Sequence, residues 1–502
     1  MTAGSTKSYW HDSTPRGAHK PLGADLSVDV AIVGAGITGL TAALLLAREG
    51  RKVAVLEARR AGEGDTGKTT SHITELLDTR YYQLASDFGK DGARLAAQSQ
   101  RAAIERIAGF VREEAIDCAF ERVPAYLYAE KGGDGREIER ELEAAREVGL
   151  EVAPAETMPL PIAIERAFRL ENQARFHPLR YLDALVAGLT RAGGLIFEGT
   201  PVVDFADGEP CRLTTAGGQV VTATRALACT YSPSSTRFAL HTRVAAYRSY
   251  VVALRADDVP EGLYWDNDDP YHYTRREPLP GGGYLLIVGG EDHKTGTEKD
   301  TLAAFERLEA YARDRFGDRP VAYRWSGQIL ETVDGLPFVG KAPHSSHTYV
   351  ATGYSGNGIT HGTMAGMLLA DLALDRDNPW AELYSPSRVK PVASAKDFVV
   401  ENASVASHFV GDRLKKPEAP TVDEVQPGEG KLIRRGGEAL AVYRDESGRA
   451  HVCSAVCPHL GCLVQWNNAE RTWDCPCHGS RFEPSGDVIN GPAVKGLEQK
   501  ET

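Results

Sequence analysis

Near the C-terminal end, Cys457-Pro458-His459-Leu460-Gly461-Cys462 is followed by Cys475-Pro476-Cys477-His478-Gly479-Ser480. Five of the eight cysteines fall between Cys453 and Cys477, and thiols and imidazoles at that density mark a local metal site. Two chemistries suit such donors: a tetrahedral Cys₂His₂ zinc site or an iron–sulfur centre. Zinc sites usually space their cysteines by about two to four residues and have no use for a further pair of thiols, which favours iron–sulfur.

A second constellation lies near the N-terminal end. Asp29-Val30-Ala31-Ile32-Val33 reads as a buried parallel strand, followed by Gly34-x-Gly36-x-x-Gly39 and a helix over Leu40–Glu49. A further strand, Lys52–Leu56, ends at Glu57. In a strand–turn–helix of this kind Gly34 permits the tight turn. Gly36 lets a pyrophosphate approach the backbone, and Gly39 lets helix and strand pack closely. Helix N-terminal amides then face phosphates, and Glu57 can accept from ribose hydroxyls.

The two C-terminal loops resemble the Rieske iron–sulfur proteins, and among them the subtype of cytochrome bc complexes. A Rieske centre needs two thiolates on one iron and two imidazoles on the other. The resemblance implies Cys457 and Cys475 as ligands of one iron and His459 and His478 of the other. It further implies a disulfide between Cys462 and Cys477, and a hydroxyl at Ser480 that donates to a bridging sulfide. Phe482 stands where high-potential members place a Tyr, and Gly491-Pro492-Ala493 resembles the proline loop that covers the cluster.

Upstream, Trp325-x-Gly327, then Thr332-x-Asp334-Gly335-x-Pro337-x-x-Gly340, precede Ala351-Thr352-Gly353-Tyr354-Ser355-Gly356-Asn357-Gly358-Ile359. With the N-terminal glycine pattern this resembles the D-amino-acid oxidase/glycine oxidase superfamily of flavoproteins over about residues 28–385. Gly62–Ser71 and the helix-opening His177-Pro178 match as well. The resemblance implies FAD, held by Gly34, Gly36, Gly39, Glu57, Gly335, Gly356, Gly358 and Ile359. No second Gly-x-Gly-x-x-Gly unit follows a strand, so a separate NAD(P)H domain is not expected. Many amino-acid oxidases of this family carry an Arg just after Trp-x-Gly to hold the substrate carboxylate; here Ile329 stands there. That leaves amines, or carboxylates held by Arg248 or Arg275, although both arginines read better as paired structural charges. His72 could face the flavin and reads better as a hydrogen-bonded structural histidine. No catalytic residue is assignable.

These sites need three positioning units. Residues 1–27 read as an N-terminal tail. Residues 28–385 alternate strands with amphipathic helices (Ala93–Ala115, Glu137–Val148, Thr301–Phe316), which gives an α/β, Rossmann-like FAD domain with a β-rich substrate subdomain. Residues 386–413 form a proline-flanked connector in which Phe398, Val405, Phe409 and Val399, Ala406, Val410 recur at helical spacing. Residues 414–502 read as a small all-β Rieske domain. The chain has 502 residues and 69 acidic against 57 basic side chains, a net charge of −12 that argues against nucleic-acid or anionic-membrane partners. Val30–Ala47 carries no charge, but its clustered glycines read as strand–turn–helix, not a transmembrane segment. Met1–Pro21 lacks the apolar run of a secretory signal, and scattered Cys118, Cys211 and Cys229 suit a reducing compartment, the cytoplasm.

The expected function is a flavin dehydrogenase that oxidises a small organic substrate, an amine by preference. It would pass electrons singly through the 2Fe–2S cluster to an acceptor the sequence does not name. The rivals are an oxygen-using oxidase with a structural cluster and a redox-sensing module without turnover. A Rieske oxygenase is excluded by chain order, since too few residues follow His478 for a mononuclear-iron domain.

Overall fold

A computed structural model describes residues 6–232, 240–390, 401–405, 407–409 and 418–501. The apolar run Leu26–Val33 forms the central strand of a sheet ordered Phe338–Lys341, Thr348–Thr352, Val220–Tyr231, Leu26–Val33, Val53–Leu56, Leu195–Phe197. All neighbours in that order pair in parallel except the first two. A parallel sheet covered on both faces needs strands apolar throughout, and Val30, Ala31, Ile32 and Val33 are all buried. The turn after this strand depends on glycine. Gly34 has φ +104°, and a Cβ there would sit 2.4 Å from the carbonyl oxygen of Cys229.

The first helix, Ile37–Arg48, and the last helix of this domain, Gly358–Ala373, pack against each other through small residues. A Cβ on Gly366 would come 2.7 Å from Thr41 Cβ, so the two backbones approach more closely than any side chain would allow. The uncharged stretch that could suggest a membrane span is thus strand plus helix. Among the described residues no helix is long and apolar enough to cross a membrane.

A second, larger sheet runs Val321–Thr332, Val244–Ala256, Tyr284–Lys294, His272–Pro278, Leu263–Asp266, Glu121–Glu130, Ile164–Arg175, His72–Ile73. It is mostly antiparallel and is braced by the helices Gly135–Glu147 and Thr301–Phe316. Helix Tyr81–Glu113 starts earlier than the periodicity indicates and bends at Gly89, whose φ is +76°. The N-terminal segment expected as a tail instead packs on this domain: Tyr9–Ser13 is helical, and Trp10 is fully buried, edge-on to His177 and Trp325.

The C-terminal region is all β. One antiparallel sheet joins Gly430–Arg435, Glu438–Arg444 and Ala450–Ser454; another joins Gln465–Asn467, Thr472–Asp474, Arg481–Phe482 and Val488–Asn490. Of the connector, residues 401–405 and 407–409 are helical. Val405 packs on the C-terminal core and Phe409 is exposed. The expected apolar positions Phe398, Val399, Ala406 and Val410 lie outside the described residues.

The C-terminal region is fastened to the larger sheet by buried polar groups. Arg248, fully buried, donates to Glu470 at 2.5 Å, and Arg481 reaches the same carboxylate at 2.6 Å and Asp474 at 2.9 Å. Burial alone would raise Glu470, yet Arg248, Arg481 and Lys68 together hold it well below the usual carboxylate range. Asn468 accepts from Thr301 N at 2.9 Å and so caps helix Thr301–Phe316 from the other domain.

Candidate active site and metal centre

A cavity of about 510 Å³ opens at the carboxyl ends of the parallel strands, where Gly34, Gly36 and Glu57 line it. The Glu57 carboxylate accepts from Ala35 N at 2.8 Å and Arg59 N at 2.9 Å, and burial raises its pKa. Gly39 lies behind the wall, where a Cβ would meet the Gly34 carbonyl at 1.9 Å; its part is close packing. Gly356, Gly358 and Ile359 line the cavity from the start of the last helix. Gly335 does not: it packs against Thr79, whose hydroxyl donates to its carbonyl at 3.0 Å. Glu57 and the Gly356–Gly358 turn thus border one cavity.

Part of the cavity wall is aromatic and acidic. Tyr271, Tyr273, Trp265, Ser249 and Asp78 line it. Asp78 accepts from Gly356 N at 2.5 Å, and Tyr271 donates to Asp292 at 3.1 Å behind the wall. Burial pushes Asp292 up to about 7, and neighbouring Asp78 adds to that. Sequence reading named none of these residues. They come from separate strands and a loop, and only the sheet register brings them together.

The arginines weighed as carboxylate binders are committed elsewhere. Arg275 is fully buried, paired with Glu277 at 2.8 Å, and donates to the Thr70 carbonyl at 2.5 Å. Arg248 belongs to the Glu470 network. His72 reaches the cavity wall, but its ring nitrogens face Thr70 Oγ1 at 3.0 Å and the Thr274 carbonyl at 3.4 Å. Burial keeps it neutral, with its pKa lowered to about 3.

The second site forms between the two C-terminal loops. The thiols of Cys457 and Cys475 are neighbours that hydrogen-bond to each other. That contact, together with the amides of His459 and Leu460 and the hydroxyl of Ser480, favours thiolate at Cys457. The rings of His459 and His478 lie 4.9 Å apart, nearly perpendicular. Burial lowers His459 to about 4 and His478 to about 3, so both are neutral imidazoles, the form that binds a metal. Cys462 and Cys477 are joined by a disulfide that ties one loop to the other. Two adjacent thiols, two neighbouring neutral imidazoles and a bridge between the loops make a donor set that fits a dinuclear cluster. Ser480 Oγ also accepts from Ala493 N at 3.0 Å, which draws the Gly491–Ala493 segment over the site. Phe482 is fully buried in the same core.

The two sites share a wall. Asn490, Gly491, Ala493 and Val494 line the cavity from the C-terminal side. Gln328, on the cavity's other wall, donates to the Gly479 carbonyl at 2.9 Å. Asp65 joins the same seam, accepting from Gln328 N at 2.9 Å and Asn490 Nδ2 at 3.2 Å.

Residues 29–372 match the FAD dependent oxidoreductase family, and residues 416–501 match the Rieske 2Fe–2S domain. The chain is 36% identical over 496 residues to a putative Rieske 2Fe-2S iron-sulfur protein, YhfW, of Bacillus subtilis, covering 98% of this chain and 97% of the relative. It is 26% identical over 388 residues to gamma-glutamylputrescine oxidoreductase of Escherichia coli, covering 73% of this chain and 88% of that one. Among solved structures, glycine oxidase from Geobacillus kaustophilus superposes with a TM-score of 0.62 at 23% identity, covering 72% of this chain and 99% of that chain. At that identity the likeness is one of fold.

Proposed function

Because the chain belongs to the FAD dependent oxidoreductase family and ends in a Rieske 2Fe–2S domain, we propose that it is a dehydrogenase for a small amine whose electrons leave one at a time through the cluster to an acceptor outside the chain. The observation that carries this reading is the shared wall. Asn490–Val494 faces the flavin cavity while Ala493 is hydrogen-bonded to Ser480 beside the cluster cysteines, so a single loop separates the two centres. A bound flavin takes a two-electron equivalent from an organic donor and can release it singly, and a 2Fe–2S centre accepts one electron at a time.

The substrate loses a hydride equivalent from carbon and a proton from nitrogen, leaving a C=N bond. The residues on the cavity wall suit an amine in that role. The Tyr271, Tyr273 and Trp265 rings supply faces for a cation, Asp78 supplies a hydrogen-bond acceptor, and Ser249 orients Tyr273 through a 2.8 Å hydrogen bond. Arg248 and Arg275 are paired elsewhere and neither lines the cavity, and Ile329 follows the Trp-x-Gly element, which favours a substrate not held there by its carboxylate. The likeness to a gamma-glutamylputrescine oxidoreductase agrees with a nitrogen-bearing substrate. Glu57, Gly34 and Gly36 would hold the dinucleotide, and Cys457, Cys475, His459 and His478 the cluster. The cytoplasm remains the proposed compartment, on the strength of the buried free thiols Cys118, Cys211 and Cys229.

Anaerobic titration of the holoprotein with a panel of amines and amino acids, following flavin and cluster absorbance separately, tests this. The expected result is flavin bleaching by an amine, followed by cluster reduction without oxygen. A cluster that stays oxidised beside a reduced flavin, with peroxide forming on aeration, would make the protein an oxidase instead. No bleaching by any amine would favour a redox-sensing role.

A further inference from the structure

The short turn Leu240–Thr242 brings His241 from the flavoprotein domain onto the cluster loops. Its ring lies 5.2 Å from that of His459 at 90° and 5.3 Å from that of His478 at 79°. Both distances fall in the range of favourable edge contacts between aromatic rings. Three imidazoles from two domains therefore stand mutually near-perpendicular. Nε2 of His459 and Nδ1 of His241 are both buried with no hydrogen-bond partner among the described residues.

The turn is itself anchored. Asn402 of the connector helix donates to the Thr242 carbonyl at 3.1 Å, and Glu401 of that helix receives Lys294 at 2.6 Å and Tyr247 at 2.8 Å. The sulfur of Cys477 lies 3.9 Å from the Val405 carbonyl, so the same helix also reaches the disulfide. The second cluster loop is fitted to the large sheet without slack. At Gly479 a Cβ would fall 2.2 Å from Ala246 Cβ and 2.3 Å from Gln328 Nε2.

We infer that His241 is the clamp by which the flavoprotein domain holds the cluster's histidine edge. That edge is committed to contacts within the chain, and the external electron acceptor meets the protein elsewhere. His241 acts as a positioning residue: it touches the two imidazole ligands and fixes their planes and their surroundings. The inference does not depend on which substrate reduces the flavin.

Diethyl pyrocarbonate labelling of the holoprotein, mapped by mass spectrometry, reads the access directly, with exposed His344 as internal reference. In the wild type His459 and His478 are expected to label far more slowly than His344. In His241→Ala both should label several-fold faster. The EPR spectrum of the dithionite-reduced cluster should also change, and its midpoint potential should shift. His241→Phe, which keeps a ring edge against the pair, should restore the protection. Wild-type labelling of His459 at the rate of His344 would overturn the inference, as would a His241→Ala protein with unaltered labelling, EPR spectrum and potential. If His241→Ala fails to retain its cluster, the wild-type rates and the His241→Phe protein still decide.

Discussion

Replacing Gly479 by Ala should separate the two domains' stabilities. Gly479 has φ +76°, and the added methyl would meet Ala246 Cβ at 2.2 Å. Carbon atoms pack at about 3.5–4.0 Å, so strand or loop must give way by more than an ångström. Left-handed backbone costs a residue with a Cβ roughly 1–2 kcal/mol. Overpacking adds about 1–3 kcal/mol. The Gln328–Gly479 hydrogen bond, 2.9 Å long, is lost in the movement. A total of about 2–5 kcal/mol is a factor of roughly 30 to several thousand in the folded ratio of the docked C-terminal domain. Gly448 supplies the control, because its φ is +88° and a Cβ there meets nothing within 4 Å. Gly448→Ala therefore carries the backbone cost without the collision. Urea unfolding would be followed by visible circular dichroism for the cluster and by flavin fluorescence for the other domain. Gly479→Ala should move the cluster transition to lower urea by clearly more than Gly448→Ala, with the flavin transition moving less. Equal shifts in the two variants would refute the collision argument and the docked geometry behind it.

Cys475→Ser should abolish the two irons and two acid-labile sulfides while FAD stays bound; stoichiometric zinc without sulfide in the wild type would contradict the cluster. Replacing Cys462 and Cys477 together by Ser should leave the cluster assembled but more labile. Closing a loop of 15 residues is worth about 3 kcal/mol, and the time course of iron release to a chelator reads the loss. Phe482→Tyr should raise the cluster's potential and Ser480→Ala lower it, since donors to the sulfurs stabilise the reduced, more negative cluster; voltammetry showing no change in either would remove the argument. Asp292, pushed up to about 7 by burial, holds its proton in the fold at pH values where the unfolded chain has lost it. Its contribution to stability is present below the unfolded value near 3.8 and is lost as pH rises through about 7. Asp292→Asn should therefore be stabilised relative to wild type at pH 8 and not at pH 4 in denaturant titrations.

The nucleotide strand, its turn and the cluster loops were legible in the sequence because each is contiguous. An apolar run beside glycines at fixed spacing, or two thiols and two imidazoles in adjacent loops, carries its own meaning without the rest of the chain. Residues whose role depends on long-range register were not. Arg248 could be seen to lie in a strand, but its partner Glu470 is 222 positions away and in another domain. Tyr271 meets Asp292 because Tyr284–Lys294 pairs with His272–Pro278, and Asp78 joins them from a loop far earlier in the chain. His241 is a lone histidine in a turn, and no local pattern marks it. The N-terminal segment misleads for the opposite reason: its composition is polar, and its few aromatics, Tyr9 and Trp10, do the packing.

The wall shared by the cavity and the cluster also orders the protein's biosynthesis. Gly34, Gly36 and Glu57, which line the cavity, leave the ribosome hundreds of positions before Asn490–Val494, which borders the same cavity. Domains generally fold as units, N-terminal first. The nascent flavoprotein domain thus stands open on one side until the last strand, Val488–Asn490, is laid down, and Ala493 finds its hydrogen bond only once the loop bearing Ser480 has formed. The cavity is therefore complete only after the C-terminal loops have formed.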